Sequence, residues 1–324
     1  MRLLVTGAGG FVGGHLVESL RRTQREVEVF GVVLPQGGIS WGSGAGMSVI
    51  EADLNDPAAT AAVVDAVRPD RVLHLAGQSS PQQSWIDPAG TLRTNVMGIV
   101  HVLDAARCRG LRPAVLVVGS AEEYGPAAAE ELPLRETTPL RPASPYAVSK
   151  VAQAALASLY GPAGGMRVVT TRTFHHTGPG RGEAFAESSF ARQIAEIEGG
   201  RRAPVIEVGN LDAVRDFADV RDVVRAYWLL LEKGEPGAVY NVCSGRGRSI
   251  GELLEILLRS SSVRVEIRVD KERLRSSDAP AQVGDPTRLK AATGWEPEIP
   301  LEETLRALLD DWRQRLRAMD PAPR

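Results

Sequence analysis

Tyr146 and Lys150 stand four residues apart in Tyr146-Ala147-Val148-Ser149-Lys150. On a helix, such a pair shares one face. A free Tyr titrates at about pH 10 and carries protons poorly near neutrality, whereas an adjacent ammonium favours the phenolate and lowers that value. The pair can therefore exchange a proton with an alcohol or carbonyl oxygen. Ser120, arriving from an earlier segment, can hydrogen-bond the same oxygen and hold it in place. The spacing alone also suits an incidental pair on an amphipathic helix, so the elements around it decide.

Those elements begin at once. Arg2-Leu3-Leu4-Val5-Thr6 is a short apolar run stopped by glycine and reads as a buried parallel strand. Gly7-Ala8-Gly9-Gly10-Phe11-Val12-Gly13 follows, and Val12, Leu16 and Leu20 then recur at helical spacing. Strand, glycine turn and helix form the context in which a glycine motif is informative. Gly7 serves the tight turn, Gly10 lets backbone N–H groups approach a pyrophosphate, and Gly13 permits close helix–strand packing. Phe11 and Val12 open the helix whose N-terminus faces the phosphates. With Ser120 ending a later strand, and Tyr146 and Lys150 on a later helix, the order describes a nicotinamide site with its own proton donor. Lys150 can also hold the nicotinamide ribose.

Further strands are expected at 27–34, 48–52, 71–75, 114–119 and 167–173, and a helix at 90–109. The second strand ends in Val33-Leu34-Pro35-Gln36-Gly37. It has no carboxylate for NAD ribose hydroxyls and no Arg for a 2′-phosphate. Neither NAD(H) nor NADP(H) is selected, and the missing repulsion tilts the expectation toward NADP(H). After the fourth strand, Leu75, Ala76 and Gly77 end in small residues that let a dinucleotide cross the sheet edge. The fold class expected is α/β, a Rossmann-type doubly wound parallel sheet with a smaller α/β C-terminal lobe that binds substrate. The dinucleotide domain spans 1–173, with 211–245 returning to it. The substrate lobe takes 174–210 and 246–318, and 319–324 form a tail.

At 324 residues, 43% hydrophobic and 24% charged, the chain has the composition of a soluble globular enzyme. Its net charge of −2 gives no basic field for nucleic acid. Cys108 and Cys243 form no CxxC, and neither they nor the five His make a metal-ligand pattern, so no metal is expected. No apolar run spans a bilayer, and the first strand starts at Arg2 with no room for a signal peptide. A cytoplasmic protein without membrane partners is expected.

The G-x-x-G-x-x-G spacing resembles that of the extended short-chain dehydrogenase/reductase superfamily, and from residue 2 to about 315 the chain resembles its nucleotide-sugar epimerase/dehydratase group. The second half is most similar to the reductases of GDP-4-dehydro-6-deoxy-D-mannose and to the GDP-mannose 4,6-dehydratases. The residues carrying this are Phe174-His175-His176-Thr177-Gly178-Pro179-Gly180, Phe190 to Ala195, Val208 to Phe217, Asp219 to Val224, Val239 to Gly245 and Arg273 to Pro280.

The resemblance implies an adenine pocket at Asp53 and Leu54, a supporting role for Asn95 behind the active-site backbone, and a GDP-sugar substrate. It implies substrate contacts from Gln78, Ser80, His175, Arg192, Asn210, Arg215, Arg275 and Asp278. Arg192, Arg215 and Arg275 would converge on the diphosphate, which needs forked donors. His175 replaces the family's Asn and is larger and titratable. The group also implies a homodimer in which the Asn95 and Tyr146 helices of two chains make a four-helix bundle, packed through Ala147, Ala152, Ala154 and Ala155.

The implied reaction is NAD(P)H-dependent reduction of the C4 ketone of a GDP-4-keto-6-deoxyhexose to GDP-D-rhamnose. In Ser120-Ala121-Glu122-Glu123, Glu122 occupies the position of the catalytic Glu of GDP-mannose 4,6-dehydratases, so that reaction, or an epimerase holding its cofactor, is the alternative. A non-catalytic dinucleotide-binding protein is a third reading, opposed by the joint presence of Ser120, Tyr146 and Lys150.

Overall fold

The computed structural model describes residues 1–35, 46–270 and 279–319. Strand β1 (Arg2–Thr6) leads into helix α1 (Phe11–Thr23), then β2 (Glu28–Val33), β3 (Ser48–Glu51), α2 (Pro57–Val67) and β4 (Arg71–His74). Two short helices, α3 (Pro81–Ile86) and α4 (Pro88–Leu92), run through a π-helical turn at Arg93–Met97 into α5 (Gly98–Cys108). Next come β5 (Ala114–Ser120), a 3-10 turn at Ala121–Tyr124, α6 (Pro145–Gly164) and β6 (Arg167–Thr173). The second half comprises β7 (His175–Thr177), α7 (Ala186–Glu198), β8 (Val205–Val208), β9 (Val214–Asp219), α8 (Val220–Lys233) and β10 (Val239–Val242). It closes with β11 (Gly247–Ser249), α9 (Ile250–Arg259), β12 (Glu266–Val269), β13 (Ala281–Gln282), α10 (Thr287–Thr293) and α11 (Leu301–Met319).

Seven strands form one parallel sheet in the order β10-β6-β5-β4-β1-β2-β3. This is the doubly wound α/β arrangement expected. Strand β1 shows why its centre, Leu3–Val5, is apolar. Leu3 and Val5 pack on one face with Leu16, Val223 and Tyr227. Leu4 packs on the other with Val63, Val102 and Leu103. Both faces are covered by helices, so the centre of the strand is apolar, and the buried Thr6 at its end is satisfied by His74 Nδ1 at 2.8 Å. The chain order reverses between β1 and β4, and the carboxyl ends beside that switch point are where such sheets take ligands.

The second half builds its own core, in which Phe190 and Ile194 of α7, Leu253 and Leu257 of α9, and Leu305 and Leu309 of α11 meet. Here the expected boundaries need correction. β9, inside the segment expected to return to the large sheet, instead pairs with β7, β11 and β13. Conversely, Leu289 of α10 and Trp295 pack into the core of the large sheet, against α8. Trp295 is large and fully buried, and its indole N–H donates to the Asp222 carbonyl at 2.9 Å. Met319 is the last residue of α11, not the start of a tail. The helix expected over 90–109 is two pieces, α4 and α5, joined by the π turn. Among the described residues, no helix is long and apolar enough to cross a membrane.

Candidate active site

Ser120 ends β5, and its register neighbour is Thr173 of β6. Ser144 caps α6, accepting from the Ala147 N–H at 3.1 Å, with Pro145 at the first helical position. That start sets Tyr146 in the first turn, facing the end of β5. Ser120, Tyr146 and Lys150 are 9, 8 and 7% exposed. The Ser120 side chain is close enough to the Tyr146 hydroxyl to influence its ionisation. Lys150 Nζ donates to the Val118 carbonyl at 2.9 Å and to Gln153 Oε1 at 3.0 Å.

One electrostatic expectation is reversed. Burial is the largest influence on Tyr146 and pushes its phenol up to about 12; the Ser120 side chain opposes this, and Glu122 and Glu123 add to it. The Lys150 ammonium is directed at the Val118 carbonyl and Gln153, and burial outweighs its pull on the phenol. Burial brings Lys150 itself down to about 8, with Glu123 pulling the other way. Tyr146 is therefore a neutral phenol throughout the neutral range, suited to giving a proton rather than taking one.

Asn95 ties the edge of the sheet to α6. Fully buried, it accepts from the Gln78 N–H at 2.7 Å and donates to the Gln78 carbonyl at 3.0 Å and to Ser149 Oγ at 2.8 Å. Ser149 in turn donates to the Tyr146 carbonyl at 2.6 Å. The π turn at Arg93–Met97 carries Asn95, and such turns are frequent at functional sites. Gly77 is exposed beside this junction, and a Cβ there would lie 2.8 Å from Asn95 Oδ1.

The glycine loop fits a pyrophosphate. Gly7 has φ +69°, and a Cβ on it would lie 2.8 Å from the Ala76 N; one on Gly13 would lie 2.5 Å from the Ala8 carbonyl oxygen. Both glycines are thus required for β1, α1 and β4 to meet. Gly10 caps α1 with no side-chain bond, no acidic residue sits in the first turn, and Gly10 is exposed. The first N–H groups of the helix, Phe11 and Val12 among them, are left facing outward, as an anion requires. Leu75 and Ala76 follow β4, with the Ala76 N–H on Thr6 Oγ1 at 3.2 Å. Leu54 is buried, and its carbonyl meets His101 Nδ1 at 2.7 Å. Asp53 accepts from the N–H and side chain of Asn55. Gln36 and Gly37 lie outside the described residues.

The residues expected at the substrate are less gathered. Glu122 is half-buried and close enough to act electrostatically on Tyr146. Gln78 bonds Thr91 Oγ1 and the Ser80 backbone, and Ser80 caps α3. His175 is half-buried, 5.4 Å between rings from Phe217. Asn210 caps its own turn through the Asp212 N–H. Arg215 is buried and donates to the carbonyls of Val214 and Ala279, both at 2.8 Å. Arg192 is paired with Glu196 at 2.7 Å and with Glu183. Two carboxylates are thus already paired with it. Arg275 and Asp278 lie outside the described residues. Among the described residues no cluster of His, Cys, Asp or Glu could hold a metal.

Sequence reasoning missed two groups that the fold brings to the site. His176 stacks on Phe11 with centroids 6.2 Å apart and planes at 4°, and burial brings it down to about 4. Arg181 lies over Phe11 at 5.1 Å and over Phe185 at 3.3 Å, and its charge reaches Tyr146. The available signal is an arginine inside the glycine- and proline-rich stretch Gly178-Pro179-Gly180-Arg181-Gly182.

A family model described as GDP-mannose 4,6 dehydratase matches residues 4–308. The chain belongs to that family. Among its relatives, the GDP-6-deoxy-D-mannose reductase of Pseudomonas aeruginosa is 40% identical over 316 residues, 98% of each chain. The GDP-mannose 4,6-dehydratase of Yersinia enterocolitica is 28% identical over 282 residues, 78% of this chain and 75% of its own. The solved structure of RMD from Pseudomonas aeruginosa, complexed with NADPH, superposes with TM-score 0.85 at 39% identity, covering 97% of this chain and 99% of that one. The UDP-glucose 4-epimerase of Thermus thermophilus, in complex with NAD, gives TM-score 0.84 at 31% identity, covering 97% and 99%.

Proposed function

We propose that the protein is a reductase of a GDP-4-keto-6-deoxyhexose, using NADPH or NADH and yielding GDP-D-rhamnose. What carries this assignment is the gathering of buried Ser120, Tyr146 and Lys150 at the end of β5, with Tyr146 held as a neutral phenol. It is supported by the 40% identity to GDP-6-deoxy-D-mannose reductase over nearly the whole chain. The relative's NADPH complex supports the lean toward NADP(H). Gly7, Gly10, Phe11, Val12 and Gly13 would hold the pyrophosphate, with Asp53, Leu54, Leu75, Ala76 and Gly77 along the dinucleotide and Asn95 behind it. The nicotinamide, when bound, supplies hydride for the C4 carbon.

The chain's own residues do the rest. Ser120 orients the ketone oxygen by hydrogen bonding. Tyr146 delivers its proton to that oxygen as negative charge develops there, and its raised pKa keeps the proton in place until then. Lys150 supplies positive charge at a buried position, where it stabilises the phenolate left behind. Gln78, Ser80, His175, Asn210 and Arg215 would hold the GDP-sugar. Arg192 joins them only on release from Glu183 and Glu196.

Glu122 favours a second reading. It adds negative potential at Tyr146, where a dehydratase needs an acid–base carboxyl group. Two absorbance assays separate the readings. Loss of reduced nicotinamide with GDP-4-keto-6-deoxymannose supports the reductase. No loss there, with GDP-mannose converted to a keto sugar without added cofactor, assigns the dehydratase.

A homodimer belongs to the same proposal. Val148, Ala155, Leu156 and Leu159 form an exposed apolar stripe on α6, flanked by exposed Leu92 and Met97. Their spacing is helical, which suits a four-helix bundle with a second copy. Ala147 is buried inside its own chain and takes no part. Sedimentation should show a dimer, and Leu159→Glu should shift it to monomer.

A further inference from the structure

The 3-10 turn after Ser120 brings two glutamates to the site, and the second, Glu123, has no role in the reaction just described. It is 1% exposed. Its Oε1 accepts the Ser120 backbone N–H at 2.8 Å, and its Oε2 meets Arg172 Nε at 3.3 Å. Ser120 Oγ accepts the Glu122 N–H at 3.2 Å, completing a reciprocal cap. Arg172 is itself fixed. Its Nη1 donates to Tyr124 Oη at 3.1 Å and to the Glu136 carbonyl at 2.9 Å, and its guanidinium lies 4.8 Å from the Tyr124 ring centroid. Tyr124 donates to Asn241 Oδ1 at 2.7 Å, and the Asn241 N–H donates to Glu136 Oε1 at 2.8 Å.

The Glu123 carboxylate and the Lys150 ammonium both seat on the last turn of β5. Lys150 bonds the Val118 carbonyl, and Glu123 bonds the Ser120 N–H. Gly119 lies between them, and a Cβ on it would collide with both Glu123 Oε1 and the Thr171 carbonyl. The strand end thus admits a carboxylate only because residue 119 is glycine. A cap alone requires neither burial of the carboxylate nor an arginine behind it.

We propose that Glu123 is a positioning residue, held by Arg172, which fixes Ser120 through its backbone and serves as the counter-charge of Lys150. This rests on the reading of Ser120, Tyr146 and Lys150 as the reductase residues. Burial drives Lys150 toward its neutral form, and Glu123 is the group opposing it. Of the other charged or titratable groups around the pair, His74 on β4 is neutral, brought to about 3 by burial and by Lys150. Tyr146 is neutral, Arg172 faces Glu123 from β6, Glu122 shares the turn, and Arg181 reaches Tyr146 from its loop.

The sign follows directly. Lys150 acts while protonated, so activity is full below its pKa and lost above it. Removing the Glu123 charge lowers that pKa and brings the loss to lower pH.

Three proteins test this: the wild type, Glu123→Gln and Glu123→Asp. Each is followed by the pH profile of kcat/KM and, independently of activity, by an NMR titration of 13Cε-labelled lysine, with Lys150 assigned by its absence in Lys150→Met. Glu123→Gln keeps an acceptor for the Ser120 N–H. Its plateau kcat should fall about tenfold or less, while the alkaline limb and the Lys150 titration both move down by about one pH unit. Glu123→Asp keeps the charge but not the reach. Its limb should stay within a few tenths of a unit of wild type, while plateau kcat falls about 10²-fold from the displaced Ser120. An unmoved Lys150 titration in Glu123→Gln overturns the proposal. So does a shifted one in Glu123→Asp, and that variant decides alone should Glu123→Gln not fold. A wild type inactive on the keto sugar would defeat the reductase reading, yet the Lys150 titrations would still decide whether Glu123 is its counter-charge.

Discussion

The carboxyl edge of the large sheet and the half built on α7, α9 and α11 hold their candidate site residues in different ways. At the sheet edge, Ser120 is the last residue of β5, in register with Thr173, Asn95 and Lys150 bond main-chain atoms of Gln78 and Val118, and the glycine loop packs closely on Ala76. In the other half, Arg192 is tied to two carboxylates and Asn210 to its own turn, while Arg215 is anchored to the carbonyls of Val214 and Ala279. Groups held by strand ends stand ready before any ligand arrives. Groups held by side-chain partners must exchange one partner for another, so their contribution depends on what they leave.

Breaking the first region should cost the most. Tyr146→Phe removes the proton donor and leaves the packing, so kcat should fall about 10²–10⁴-fold with the melting temperature nearly unchanged, as steady-state rates and calorimetry would show. Next, Asn95→Ala leaves the Gln78 backbone N–H and C=O without this partner and takes one of the two hydrogen bonds of Ser149 Oγ. Urea unfolding should record a loss of about 1–3 kcal/mol, and fluorescence titration should show weaker binding of reduced nicotinamide. The pH profile gives a third handle. With Lys150 brought to about 8 and Tyr146 up to about 12, kcat/KM should be flat through neutrality and fall as Lys150 loses its proton near pH 8. A loss on the acid side instead would mean that a carboxylate or imidazole carries the chemistry.

The second region sharpens the contrast with smaller effects. Arg215→Ala should raise KM for the GDP-sugar about 10-fold or more, since a buried charged donor is lost from a fixed position. Arg192→Ala, already neutralised by Glu183 and Glu196, should change KM by less than about threefold. Equal effects from the two arginines would show that Arg192 leaves its carboxylates when substrate binds.

What was legible in the sequence follows the same division. The Arg2–Thr6 run, the glycine spacing and the Tyr146–Lys150 pair are local patterns, and the sheet places them as their periodicities demand. The π turn around Asn95 was not legible, because Arg93-Thr94-Asn95-Val96-Met97 has too few apolar positions to reveal a change of helical phase. Nor was the reversed shift of Tyr146. Spacing puts a lysine beside a tyrosine, but the depth of burial is a property of the whole fold. Glu123 did leave a signal, the Ser-x-x-Glu pattern of Ser120 to Glu123. That β9, with three charged residues in Val214–Asp219, pairs outside the large sheet was not legible, because partner strands are set by the fold and not by local pattern. Arg192 was grouped with Arg215 by motif alone, and only coordinates reveal Glu183 and Glu196 around it.

The central claim is that hydride comes from an external reduced nicotinamide to C4 of the sugar on each turnover. It is tested most directly by giving the protein GDP-4-keto-6-deoxymannose and NADPH deuterated on C4 of the nicotinamide, with the assay repeated for the opposite face of the ring. The account predicts one deuterium at C4 of the product from one of the two faces, and one NADPH oxidised per sugar through many turnovers. Product formation without label at C4 and without net oxidation of the cofactor would contradict it.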